Sequence, residues 1–300
     1  MKWRIKFDKV IREVGPLEFK SRKAEVETDL MKYATKRIVS CRKTTSIKRC
    51  AEIMVRNGFR RLPILDAKRI AGIVTSMDIV NFLGGGEKFE IIKKKYGGNI
   101  LAAVNASVSL IMEKDVIFVE YDSSLKDAIE VMKKHNIGCL PIVRDEKIVG
   151  IITERDIIKI FEGRVDDERK VSDCMTRKVI TITPGTTLID CARIMVRNGF
   201  RRLPVVSEEK LVGIVTSMDI LKALALWKLK DSSDVEEALK ERVSEIMVTD
   251  LKVINENAKL SDALKIMGDC NIGCLPVVRQ DKLVGIITER DILRVVADEG

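Results

Sequence analysis

Apolar and polar positions along the chain follow one scheme that returns four times. In its clearest copy Leu125, Ala128, Ile129 and Met132 fall at helical spacing, with Ser123 or Ser124 placed to cap the start. Leu140-Pro141-Ile142-Val143 then reads as a short apolar strand, Asp145-Glu146-Lys147 as a turn, and Ile148 to Ile152 as a second strand. Asn57-Gly58 and Asn198-Gly199 are stop signals for the equivalent helices of two other copies. The unit is a βαββα module. One helix on a two-strand hairpin cannot bury its apolar face alone, so the modules must pack in pairs.

The copies are of two kinds. Cys50 to Ile79 reads CAEIMVRNGFRRLPILDAKRIAGIVTSMDI, and Cys191 to Ile220 reads CARIMVRNGFRRLPVVSEEKLVGIVTSMDI. The second kind reads NIGCLPIVRDEKIVGIITERDII from Asn136 and NIGCLPVVRQDKLVGIITERDIL from Asn271. The order A, B, A′, B′ is that of a duplicated pair. The expected modules are residues 31–85, 107–162, 170–226 and 242–297. The 86–106 linker is too long for a tight turn and predicts a short helix around Phe89 to Tyr96. Residues 1–30 match no repeat, although MKWRIKF alternates like an edge strand.

Composition narrows the functional classes. Apolar residues make up 46% and charged residues 33%, a globular balance, while only 4% are aromatic, so cores must be built from Ile, Val, Leu and Met. No apolar run approaches the roughly 20 residues of a membrane helix. The charged N-terminus is unlike a signal peptide, and the expected location is cytoplasmic. Cys270 and Cys274 enclose Asn-Ile-Gly rather than a C-x-x-C spacing, and His135 is the lone histidine, which argues against a zinc site. GGGEK from Gly84 lacks the G-K-[ST] ending of a phosphate loop. With no acid–base or nucleophile constellation, the expectation is no catalytic residue, no metal and no enzyme. The formal charge of +9 favours anionic partners.

The chemistry-bearing residues recur with the repeats. T-x-x-D stands at Thr75/Asp78, Thr153/Asp156, Thr216/Asp219 and Thr288/Asp291. At the start of a helix that spacing is a capping box. Capping boxes favour the longer Glu or Gln, however, so four Asp are expected to keep carboxylates free for the vicinal hydroxyls of a ribose. Arg60-Arg61 and Arg201-Arg202 precede Leu-Pro in the A copies, and guanidinium forks match phosphate oxygens. Alternate strand residues face opposite ways, so one Arg of each pair could equally be solvated. Val39, Ile117, Ile180 and Val253, with Met112, Met175 and Met247 nearby, are candidate adenine walls or plain core.

The module length, the h-P-h-h strand and the closing G-h-h-T-x-x-D resemble CBS domains over most of the chain. That resemblance implies an α+β fold of four CBS domains pairing into two Bateman modules in a disk-like assembly. It is similar in layout to the γ subunits of AMP-activated protein kinase. It further implies AMP, ADP or ATP as ligands in the clefts between paired domains, the Asp on ribose, and both Arg positions on phosphate. By the same resemblance Arg155 and Arg290 are phosphate ligands. The B copies depart from the pattern, carrying Gly138-Cys139 and Gly273-Cys274 where the γ subunits have a His-Arg pair. The expected function is an energy-charge sensor acting on a protein partner. The alternatives are a sensor of S-adenosylmethionine or methylthioadenosine, a nucleic-acid-binding protein working through its basic surface, and a structural scaffold.

Overall fold

The computed structural model describes residues 30–84, 86–161, 168–226 and 239–299. The edge strand expected near the N-terminus lies outside these residues. A short helix α1 (Leu30–Tyr33) leads into the first repeat, which runs β1 (Cys41–Arg42), α2 (Ile47–Asn57), β2 (Arg61–Asp66), β3 (Arg69–Thr75) and α3 (Ser76–Leu83). Ser46 caps α2, and Gly58, in the left-handed region at φ 66°, returns its N–H to Met54 and Val55, so the Asn-Gly stop acts as its sequence requires. The linker holds α4 (Phe89–Tyr96), where the sequence predicts it, and α5 (Ile100–Val104). The second repeat follows with β4 (Val119–Glu120), α6 (Leu125–His135, capped by Ser124), β5 (Cys139–Arg144), β6 (Lys147–Thr153) and α7 (Glu154–Phe161).

The other half repeats this order. It comprises α8 (Val171–Cys174), α9 (Leu188–Asn198), β7 (Arg202–Ser207), β8 (Lys210–Thr216) and α10 (Ser217–Leu226). The fourth repeat adds β9 (Ile254–Asn255), α11 (Leu260–Asp269), β10 (Cys274–Arg279), β11 (Lys282–Thr288) and α12 (Glu289–Glu299). Each AB pair shares one sheet, ordered β1-β2-β3-β6-β5-β4 in the first module and β7-β8-β11-β10-β9 in the second. The two hairpins of a sheet touch through a single register pair, Arg69 with Lys147 and Lys210 with Lys282.

So slight a strand contact needs help, and the segment leading into each repeat supplies it by crossing to the partner repeat. Thr35 exchanges backbone hydrogen bonds with Ile151 at 2.8 and 3.0 Å, and Glu113 with Ile73 at 2.8 and 2.9 Å. Thr176 does so with Ile286, and Val248 with Ile214. A methionine accompanies each crossing onto the glycine of the G-h-h-T frame: Met112 on Gly72, Met31 on Gly150, Met247 on Gly213 and Met175 on Gly285. At Gly72 a Cβ would fall 2.7 Å from the Glu113 carbonyl, so that glycine is a matter of room.

The two modules then meet through helices within the one chain. Helix α10 packs on α2 and α3, and α3 on α9, so repeats 1 and 3 share one core that includes Met54, Phe82, Met195 and Leu221. At this seam the buried Ser76 and Ser217 hydroxyls hydrogen-bond each other at 2.8 Å. Repeats 2 and 4 meet where α12 packs on α7 and α6.

Candidate functional site

The crossed lead-in segments create a cleft between A and B repeats in each module. Because Thr35 is bonded to Ile151 on β6, the segment Thr35 to Val39 lies alongside the end of β6, where Thr153 opens α7. The first cleft is lined by Ile38, Val39, Phe59, Arg60, Arg61 and Thr153 among others. The second is lined by the matching Val179, Ile180, Phe200, Arg201, Arg202 and Thr288, with Asp291 beside them. Each cleft thus brings together an apolar wall and a guanidinium pair from the A repeat with a hydroxyl from the B repeat.

The aspartates behave differently from expectation in one respect. In all four copies the carboxylate reaches back: Oδ2 accepts from the N–H and the hydroxyl of the preceding Thr, at 2.6–2.9 Å. Asp is therefore long enough for the capping role when the Thr backbone is extended, as at Thr75 (φ −115°, ψ 164°). What remains for another partner is Oδ1, and here the copies diverge. Lys88, from the linker, takes Asp78 Oδ1 and also donates to the Ile111 carbonyl at 2.5 Å. Lys222 takes Asp219 Oδ1 at 3.1 Å. Arg294 stands 4.0 Å from Asp291 Oδ1, and Asp156 makes no ion pair among the described residues. The carboxylates without a close cation are thus those of the B repeats: Asp291 lines the second cleft, whereas of the Thr153–Asp156 pair only Thr153 lines the first.

The apolar candidates divide in the same way. Val39 and Ile180 line the two clefts. Ile117 packs against the core of the second repeat, and Val253 is an exposed surface residue. Sequence reasoning missed Phe59 and Phe200, each 38% exposed in a chain with few aromatics, and both in the clefts. The signal was their place directly after the Asn-Gly stop, where the left-handed glycine turns the chain toward β2 and β7.

The six arginines converge between the clefts, around two glutamates whose role the sequence did not reveal. Glu154 and Glu289 are the first residues of α7 and α12, 4% and 7% exposed. Arg290 Nε donates to Glu154 Oε1 at 2.9 Å, and Arg155 Nε donates to Glu289 Oε1 at 2.5 Å. Their outer nitrogens bond Asn136 at 2.9 Å and Asn271 at 2.6 Å. Arg201 stands 3.9 Å from Glu154, and Arg60 stands 3.8 Å from Glu289. Arg202 donates to the Gly273 carbonyl. Arg155 and Arg290 therefore bind across the seam between modules, whereas Arg60 and Arg201 hold their carboxylates loosely. The B repeats need glycine before the hairpin for this arrangement. A Cβ on Gly138 would overlap the Glu154 carboxylate, and one on Gly273 would fall 2.7 Å from Glu289 Oε2.

Six guanidiniums against two carboxylates leave the centre cationic. Burial, with Arg61 and Arg202 alongside, pulls Arg201 down to about 9, and burial with Arg202 lowers Arg60. One nitrogen of Arg155, Nη2, is buried without a hydrogen-bond partner among the described residues. Such a site stabilises an anion, because each added negative charge relieves cations that burial has made costly.

Comparison with known proteins shows the family. The CBS domain model matches residues 28–85, 108–163, 171–226 and 243–298. Protein MJ1225 of Methanocaldococcus jannaschii is 44% identical over 276 residues, covering 89% of this chain and 99% of its own. Its crystal structure, described as that of a candidate archaeal homologue of γ-AMPK, superposes with a TM-score of 0.85 at 43% identity, over the same shares of both chains. A 33.4 kDa protein encoded in a ribosomal RNA operon of Thermofilum pendens is 31% identical, over 80% of this chain and 81% of its own. A conserved protein of Pyrococcus horikoshii shares the fold at 23% identity, with a TM-score of 0.56 over 89% of this chain. No helix among the described residues is long and apolar enough to cross a membrane. The chain belongs to the CBS-domain family, and carries four CBS domains in two paired modules.

Proposed function

We propose that this protein binds adenine nucleotides, AMP, ADP or ATP, in the first and second clefts and reports their level to a protein partner. The observation that carries the reading is the convergence, twice and in matching positions, of an apolar and aromatic wall, the Thr of a Thr–Asp pair and two arginines, with the Asp itself on the wall of the second cleft. The base would lie against Val39 and Phe59, or Ile180 and Phe200. The ribose hydroxyls would donate to Oδ1 of Asp156 or Asp291, and the phosphates would meet Arg60 and Arg61, or Arg201 and Arg202. The description of MJ1225 as a γ-AMPK homologue agrees with a sensing role. Among adenosine ligands, the guanidinium excess favours those with phosphate over S-adenosylmethionine or methylthioadenosine. It would act by differential binding: a ligand that bridges A and B repeats favours one packing angle, and only a difference in affinity between two arrangements moves a partner surface.

Calorimetric titration of the full chain with AMP, ADP, ATP, S-adenosylmethionine, methylthioadenosine and a generic duplex DNA tests this reading. Saturable binding of the phosphate-bearing nucleotides, tighter than that of the two sulfur compounds, is expected. Preference for the sulfur compounds, or steeply salt-dependent DNA binding alone, would overturn it.

A further inference from the structure

Arg201, Glu154 and Glu289 border both clefts. The two glutamates form a crossed circuit. Glu154 follows Thr153 of the first cleft in the chain, yet its carboxylate stands 3.9 Å from Arg201, a phosphate candidate of the second. Glu289 follows Thr288 of the second cleft, yet stands 3.8 Å from Arg60 of the first. Each glutamate keeps a closer bond to one arginine of the opposite module, Arg290 at 2.9 Å or Arg155 at 2.5 Å. The looser arginines are the ones free to turn.

We infer that the two clefts compete for charge: a phosphate bound in one weakens phosphate binding in the other, while a neutral nucleoside is indifferent to its neighbour. This rests on the reading of the clefts as adenine-nucleotide sites and adds how they are regulated. A phosphate that draws Arg201 into the second cleft takes a cation from the wall of the first. It also leaves Glu154 less neutralised there, with its charge facing the next phosphate. In the opposite direction a phosphate that draws Arg60 into the first cleft leaves Glu289, which also borders the second, less neutralised. The coupled groups stand 3.8 and 3.9 Å apart, well inside the screening length of about 8 Å at physiological salt, so the effect survives there even as salt weakens phosphate binding itself. The coupling is reciprocal, as any linkage between binding free energies must be. A ligand without phosphate moves neither arginine and leaves both glutamates paired.

The test compares adenosine with AMP on the same full chain, reading stepwise constants by calorimetry. The ratio of second to first dissociation constants should be at least about fivefold larger for AMP than for adenosine, the lower range of known site–site couplings. Glu154→Gln keeps the side chain's size and its hydrogen bond to Arg290, and should narrow that gap. The wild-type comparison stands even where the variant folds poorly. Equal ratios for the two ligands would overturn the coupling and leave the nucleotide reading intact. Absence of binding by both ligands would overturn the nucleotide reading, and the coupling with it.

Discussion

Arg290 Nε donates to Glu154 Oε1 at 2.9 Å across the seam between the two modules, and Arg155 makes the matching bond to Glu289 at 2.5 Å. Buried ion pairs of this kind add little net stability, because desolvation offsets the attraction, but losing one partner is costly. Here they tie α7 to α12 in one register and bring the arginine-rich walls of both clefts to a common centre.

The glycines before the B hairpins make that centre possible. Gly138→Ala puts a methyl group where the Glu154 carboxylate lies, so the carboxylate that accepts from Arg290 must shift. The expected cost is about 1–3 kcal/mol, the scale of overpacking a filled site, read as a lower denaturant midpoint. An unchanged midpoint would mean that Glu154 has a second comfortable position.

Capping and ligand binding can be separated at the aspartates. Asp127 caps α6 through Ser124, on an exposed face, with the same bonds that Asp156 makes to Thr153. Asp127→Ala should cost about 0.5–2 kcal/mol of stability and leave AMP titrations untouched. Asp156→Asn should retain most of the cap and weaken AMP in the first cleft by about 1.5–3 kcal/mol, the worth of a charged hydrogen bond. Equal effects of the two variants on binding would confine Asp156 to the cap.

Phosphate recognition should be visible in salt. With Arg60 and Arg61 in one cleft and Arg201 and Arg202 in the other, the loss of affinity on raising salt should increase from AMP to ADP to ATP. Arg60→Met should flatten that trend for the first cleft. A salt response that does not depend on phosphate number would remove the arginines from the site.

Lys88 occupies the Asp78 carboxylate and the Ile111 carbonyl together. The wild-type chain should therefore bind nucleoside at its two open clefts, while Lys88→Ala should add a third, weaker step as Asp78 Oδ1 becomes free. Calorimetric stoichiometry reads this directly. A third step already present in the wild type would show that Lys88 yields to ligand.

Much of this was legible in the sequence because it is local. The helix cap at Ser124, the αL stop at Gly58, the linker helix Phe89–Tyr96 and the four hairpins follow from spacing and residue chemistry. The hairpin turns read as polar breaks, as at Asp145-Glu146-Lys147, but nothing in them marks their left-handed geometry. Ala67-Lys68, Asp145-Glu146, Glu208-Glu209 and Gln280-Asp281 all adopt positive φ without a glycine, because the flanking strands impose the turn. The crossed lead-in segments were out of reach for a different reason: a backbone bond between Thr35 and Ile151 joins residues more than a hundred positions apart. Glu154 and Glu289 read as ordinary first-turn acids of a helix, favoured by its dipole. Only the loss of the Arg-Arg pair to Gly-Cys in the same repeats hinted that an acid had taken the vacated space.

A crystal structure of the full chain soaked with AMP tests the central claim most directly. The expected result is one AMP in each open cleft, its base between Val39 and Phe59 or Ile180 and Phe200, and its ribose on Asp156 or Asp291. The phosphate should lie within hydrogen-bond reach of the adjoining arginines. AMP seated on Asp78 or Asp219 instead, or clefts left empty at saturating ligand, would contradict it.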